Sequence, residues 1–475
     1  MTIPGTTATS AADARGPARV ARFNRACLLV AAAWLLVGVP LTVKFRPMRA
    51  KDFPQFYMGG VIARHGAWDA LYPVPHPDSP YNPGLKNDSA MRPRYAQLAA
   101  KYRVATGDEP RFIQPPPAAL LFRPLVWLPY DLAYVAWAAL MGAMCLAVAH
   151  LAGRFHERCA GRPSRVSGGL VLLICCSHLT YYVIRTTNIE MLMALSIALA
   201  TLALLTPARP GGAATFGGVA ALVVGGIVKY ATAVLLPLAV AMRRWALVGW
   251  TAAAGLALLA VAVAVMGTGP FITFLADVFP RLSRPYDIDG NQSLKGMIIY
   301  HSGVFPLPAA VNAAVRVAMG AMLAALLALI FTRDREAWRR PEHVCAGAAA
   351  LVAWLLIFSP LTWDKYYTYL FPFYGWLAWE AARSRGRALV VGGVFASLFA
   401  AWFNVGDFLP APLTFHMLLA TVAVLALAAR RLWAAPCCRA CARGIPRATT
   451  TRAAAFGLIG ELAPLASQVE SAALL

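Results

Sequence analysis

Charge is what this chain has least of. Asp, Glu, Lys and Arg together make up 13% of its 475 residues, where a soluble protein carries roughly a quarter. Acids are the scarcer sign, 21 against 43 Lys and Arg. A soluble globular enzyme is thereby excluded. The nine cysteines show no disulfide pattern, and most lie in or beside apolar runs. Cys437, Cys438 and Cys441 have no fourth ligand nearby in sequence, so a zinc site is not expected. There is no Gly-rich phosphate loop, no dinucleotide fingerprint and no long internal repeat.

What is present is hydrophobicity, at 59% of residues with a mean hydropathy of +0.60. The apolar runs are near 20 residues long, which suits helices crossing a bilayer and not barrel strands. The expected fold is an all-α polytopic integral membrane protein. A net charge of +22 invites a nucleic-acid partner, but the Arg and Lys residues cluster at the ends of apolar runs. There they act as topology signals and anchors to anionic lipid, so no nucleic acid is expected.

Residues 1–25 form a basic cytoplasmic tail, with Arg15, Arg19, Arg22 and Arg25 ahead of a first span at 26–43. Residues 44–117 are then delivered outside. This loop holds an amphipathic helix on the membrane surface around Phe56, Tyr57, Val61 and Ile62, and a stop at Pro115-Pro116-Pro117. Further spans are expected at about 131–152, 167–184, 190–206, 246–266, 305–332, 343–360, 366–382, 388–404 and 413–433. The run 214–245 lies between two basic flanks, Arg209 and Arg243-Arg244, and contains Lys229. One crossing would break the charge rule, so a half-helix hairpin bending near Lys229 is expected. The total is about ten spans plus that hairpin, with both termini inside. Residues 434–475 are expected to be a poorly ordered cytoplasmic tail.

The outward-facing polar residues then collect on one side of the bilayer. Asp52 leads them, a carboxylate at the exit of a span where a lipid-borne substrate meets water. With it come Tyr57, Arg185, Asn188, Glu190, Asn291, Gln292, Lys295, His301, Trp363, Asp364 and Lys365. The alternative for several of these is local pairing, Lys365 with Asp364 and Arg185 with Glu190. An enzyme on the outer side has no nucleotide pool, so an activated substrate there is lipid-linked.

The order Asp52-Phe53, Tyr57, Gly66, Leu71-Tyr72, Phe112, Pro115-Pro116-Pro117, Pro124-Leu125 and Leu128-Pro129 resembles glycosyltransferase family 87. So do Asn188, the run from Gly225 through Lys229 and Pro237 to Arg243-Arg244-Trp245, Asn291-Gln292-Ser293-Leu294 with Gly296, and Ser359-Pro360 with Trp363. The resemblance covers 26–433. It implies a GT-C-type helical bundle and inverting transfer of a sugar, mannose above all, from a polyprenyl-phosphate donor. The acceptor would be a lipid or glycan at the outer face of a bacterial inner membrane.

Within that resemblance Asp52 is the general base. Lys295, His301, Arg185, Lys365 and Lys229 are candidates for the donor phosphate, and Tyr57, Asn188, Glu190, Asn291, Gln292, Trp363 and Asp364 for substrate contact. No cofactor or metal is implied, since the lipid-linked sugar is itself a substrate. The chain departs from the family pattern at Gln114, Thr187 and Lys365, the last a fixed cation where His is usual. The competing class is a transporter or flippase of lipid-linked sugars, which Lys229 in a broken helix would also suit. Against it, the interrupted helix has no counterpart in the other half of the chain.

Overall fold

The computed structural model describes residues 11–38, 52–75, 89–104, 112–207, 212–282, 291–304, 306–360, 362–400 and 416–435. The Cys437-Cys438-Cys441 cluster lies outside them, as do 39–51, 76–88 and 283–290 of the loops. The described chain is helical, apart from a two-residue antiparallel pairing of Val74-Pro75 with Ser89-Ala90. By length and composition, six of the described helices are able to cross a membrane: Pro17–Gly38, Tyr130–Ala160, Trp245–Met266, Ala309–Phe331, Pro341–Phe358 and His416–Trp433. The pair Val166–Cys175 and His178–Thr186 makes a seventh if read as one span bent by 45°. At that bend Ser177 caps the second helix, its Oγ accepting from the Thr180 amide at 3.3 Å.

The turns between these helices gather at two ends. At the basic end, Asn24 donates to the Ser164 carbonyl and accepts from the Gly168 amide, both at 3.0 Å. There too Arg244 reaches the Leu204 carbonyl at 2.8 Å and Arg333 the Ala435 carbonyl at 2.7 Å. Glu342 pairs with Arg431 at 3.0 Å and Glu380 with Arg387 at 2.6 Å. Asp52, Asn188, Lys229, Gln292 and Lys365 meet at the other end. The charge asymmetry seen along the sequence is therefore an asymmetry of the folded bundle.

The expected reversal at Lys229 is present, but its arms are unequal. Ala213–Lys229 has 17 residues, as long as the neighbouring 16-residue Glu190–Leu205 helix, so each extends about 25 Å rather than half a crossing. Tyr230, at φ 46°, breaks the helix, and Ala231–Ala241 returns toward Arg244. The turn is tight because Gly225 admits Thr232, whose hydroxyl donates to the Leu222 carbonyl at 3.2 Å.

Three other expectations shift. The first helix begins at Ala11, ahead of the span expected from 26, with Arg15 to Arg25 already on its turns; arginine is a good helix former. The Phe53–His65 helix has no exposed polar face along most of its length, because every residue from Phe53 to Ala63 is buried. Gly59 and Gly60 permit this, their bare faces meeting the Phe112 ring and the Phe122 carbonyl. The 366–382 stretch opens as a 3-10 helix, Asp364–Phe373, and becomes α-helical at Tyr374–Ala381. The greater 3-10 rise gives these 18 residues a reach of about 32 Å, enough for a hydrocarbon core of about 30 Å.

Gly375 marks the closest helix contact. A Cβ there would stand 1.8 Å from the Ala152 carbonyl oxygen and 2.8 Å from the His156 amide nitrogen. Backbone cannot yield as a side chain can. Gly375→Ala is expected to destabilise the bundle by about 1–3 kcal/mol or more, read as a lower melting temperature in detergent. An unchanged melting temperature would contradict this packing.

Candidate active site

Asp52 immediately precedes the Phe53–His65 helix, at the N-cap position, yet its side chain does not cap it. Instead, Oδ2 accepts from Lys365 Nζ at 2.8 Å and from Asn188 Nδ2 at 2.6 Å. These two bonds, beside the positive end of the helix dipole, hold the carboxylate in a fixed orientation. No donor among the described residues reaches Oδ1.

Asn188 is placed by the corner that carries it. Thr187 adopts φ 51°, a costly conformation for a β-branched residue. It is held there by neighbours: the Thr187 carbonyl accepts from the Trp137 indole at 3.1 Å, and the Thr186 carbonyl accepts from the Asp52 amide at 3.3 Å. The Asn188 Oδ1 accepts from the Ile189 amide at 2.6 Å, which leaves Nδ2 aimed at Asp52.

A second ion pair stands beside the first. Glu190, fully buried, binds Lys229 Nζ at 2.5 Å through Oε1 and accepts the Tyr369 hydroxyl on Oε2. Lys229 also lies 3.5 Å from the centroid of the Tyr366 ring, a close cation–π contact. The Tyr366 and Tyr369 rings are within 3° of parallel, because positions three apart eclipse in a 3-10 helix. Both pairs border one cavity of about 200 Å³, shared with Gln55, Gln114 and Trp363 and closed on its apolar side by Phe56, Phe274 and Leu282.

Of the residues expected from sequence, Asp52, Asn188, Glu190, Lys229, Trp363 and Lys365 line this cavity, and the rest do not. Tyr57 is buried one turn away, its hydroxyl donating to the Leu128 carbonyl at 3.0 Å. Burial, then Tyr102, raises its pKa, with Arg64 opposing. Asn291 ties two loops together, its Oδ1 accepting from the Ser293 and Thr362 amides at 3.2 and 3.1 Å. The Gln292 backbone completes the tie, its amide reaching the Thr362 carbonyl at 2.7 Å.

Lys295 is buried and His301 exposed on the Leu294–Ser302 helix beyond this clamp. Burial, with Arg316 nearby, pushes the Lys295 pKa below the ordinary lysine value. Arg185 packs its guanidinium over Tyr181 at 5.7 Å, and Asp364 is half-buried outside the cavity. Neither local pairing forms: Lys365 joins Asp52, 313 positions away, and Glu190 joins Lys229. Gln55 and Tyr369 are cavity residues that the sequence reading did not single out. Gln55 had a legible signal, since three residues after Asp52 on a helix is the same face.

A buried carboxylate thus stands beside two cations and an aromatic wall, bordering one cavity at one end of an apolar helical bundle. The chain matches the family model for glycosyltransferase family 87 over residues 112–360, just over half its length. It belongs to that family and is a glycosyltransferase. Asp52 itself precedes the matched region. No curated protein and no solved structure matches the chain.

Proposed function

We propose that the protein transfers a hexose, mannose by preference, with inversion, from a polyprenyl-phosphate donor to a lipid or glycan acceptor. The reaction takes place at the outer face of a bacterial inner membrane, within a GT-C-type bundle of ten crossings plus the hairpin. The observation that carries this reading is the asymmetry of Asp52. Its Oδ2 is fixed by Lys365 and Asn188, while no donor among the described residues reaches Oδ1 and the side chain borders the cavity.

In the proposed step the acceptor hydroxyl gives its proton to Asp52 Oδ1 as its oxygen bonds to the anomeric carbon. The carbon–oxygen bond to phosphate breaks on the opposite face, and polyprenyl phosphate leaves with the electron pair. Lys365 and Lys229 are, among the described residues, the two cations bordering the cavity and are proposed to stabilise the departing phosphate. Comparing the anomeric configuration of donor and product by NMR tests the mechanism: inversion is expected, and retention would rule out the single displacement proposed here.

The proposed orientation places Arg243 on the cytoplasmic side, since Arg244 beside it binds the Leu204 carbonyl at the basic end. Arg243→Cys in intact cells is expected to resist an impermeant thiol reagent added outside. Labelling there would invert the proposed orientation of every later segment.

A further inference from the structure

Gln55 is 4% exposed and lines the cavity. Its Oε1 is buried without a hydrogen-bond partner, and no bond to its amide nitrogen is found among the described residues. Of the cavity-lining side chains among the described residues, only this one has a buried polar atom so unpaired. Buried polar groups are nearly always satisfied, and turning the amide over would merely exchange which end is unpaired. The side chain cannot retreat to water. The next residue, Phe56, stacks on Phe122 at 4.9 Å, and Gly59 packs one turn on against the Phe112 ring. Gln114, also mostly buried, lines the same cavity, with no side-chain hydrogen bond among the described residues.

Resting on the reading of Asp52 as base, we propose that Gln55 is a specificity residue whose carboxamide binds the acceptor-sugar hydroxyl adjacent to the attacking one. Asp52 and Gln55 are three positions apart at the start of one helix, so their side chains leave the same face. One takes the proton of the nucleophile, and the other fixes the rotation of the ring that carries it. The acceptor is thereby a polyol with neighbouring hydroxyls, since a lone alcohol would leave the carboxamide unsatisfied. A group kept for substrate contributes nothing to the folded state without it, which separates this role from a structural one.

Gln55→Leu in the full chain tests both halves. Without substrate, its melting temperature should equal or exceed that of the wild type. With membranes supplying acceptors and radiolabelled polyprenyl-phosphate-mannose as donor, transfer should fall about 10–100-fold while the donor KM stays unchanged. Gln55→Met, longer and more flexible, repeats the measurement should leucine crowd Phe56. A melting temperature lowered in both variants, undiminished transfer, or a loss expressed in the donor KM would each overturn the assignment. Absence of transfer by the wild type would instead overturn the donor reading, and the melting temperatures would still decide whether Gln55 serves the fold.

Discussion

Asp52→Asn is expected to insert and fold as the wild type does and to lose about 10²–10⁴-fold in turnover, the usual contribution of a general base. The substitution preserves shape and lets the carbonyl oxygen keep accepting from Lys365 or Asn188, so the site should remain assembled, at some cost in stability because Lys365 loses its counter-charge. What disappears is basicity at Oδ1, the oxygen that no donor among the described residues reaches. The rivals are worse placed. Glu190 has both oxygens engaged, by Lys229 and Tyr369, and Asp364 does not line the cavity. Near wild-type transfer by Asp52→Asn together with complete loss in Asp364→Asn would move the base to Asp364. If neither change mattered, the transporter reading would be preferred.

Lys229→Met is expected to cost the fold more than any other single change at the site. It leaves Glu190, with 0% of its side chain exposed, as an uncompensated buried anion. Removing one partner of a buried pair typically costs about 3–5 kcal/mol. The double variant Glu190→Gln, Lys229→Met should recover most of that stability, because it removes both charges and not the attraction alone. Thermal unfolding of the two variants in detergent checks this. Equal losses would mean that the pair is not coupled. In the recovered double variant, donor affinity then isolates the part Lys229 plays toward phosphate, and unchanged affinity and turnover would leave it a structural role only.

Much of this site could be read from sequence because membrane proteins rarely place charge in apolar surroundings without use. Asp52, Glu190, Lys229 and Lys365 stood out for that reason, and all four meet at one cavity. Their partners were not legible. Lys365 passes over the adjacent Asp364 to reach Asp52, a choice made by the packing of the 3-10 helix against the Thr187 corner. Asn291 reads as a ligand contact because it is polar and outward, but its side-chain oxygen ties one loop to another, a tie that Gln292 completes through its backbone. Local sequence cannot separate those two uses of an amide. The Phe53–His65 helix reads as amphipathic for a related reason, since its apolar residues recur at helical spacing while Gly59 and Gly60 let both sides pack. The hairpin at Lys229 was visible in the charge flanks alone, but its unequal arms depend on Thr232 folding back onto Gly225.

The most direct test of the central claim is transfer itself. Membranes containing the wild-type chain, supplied with radiolabelled polyprenyl-phosphate-mannose on the outer side, should move label into a lipid or glycan product, and membranes containing Asp52→Asn should not. Label that crosses the bilayer still attached to its polyprenyl phosphate, to the same extent with both chains, would contradict the account.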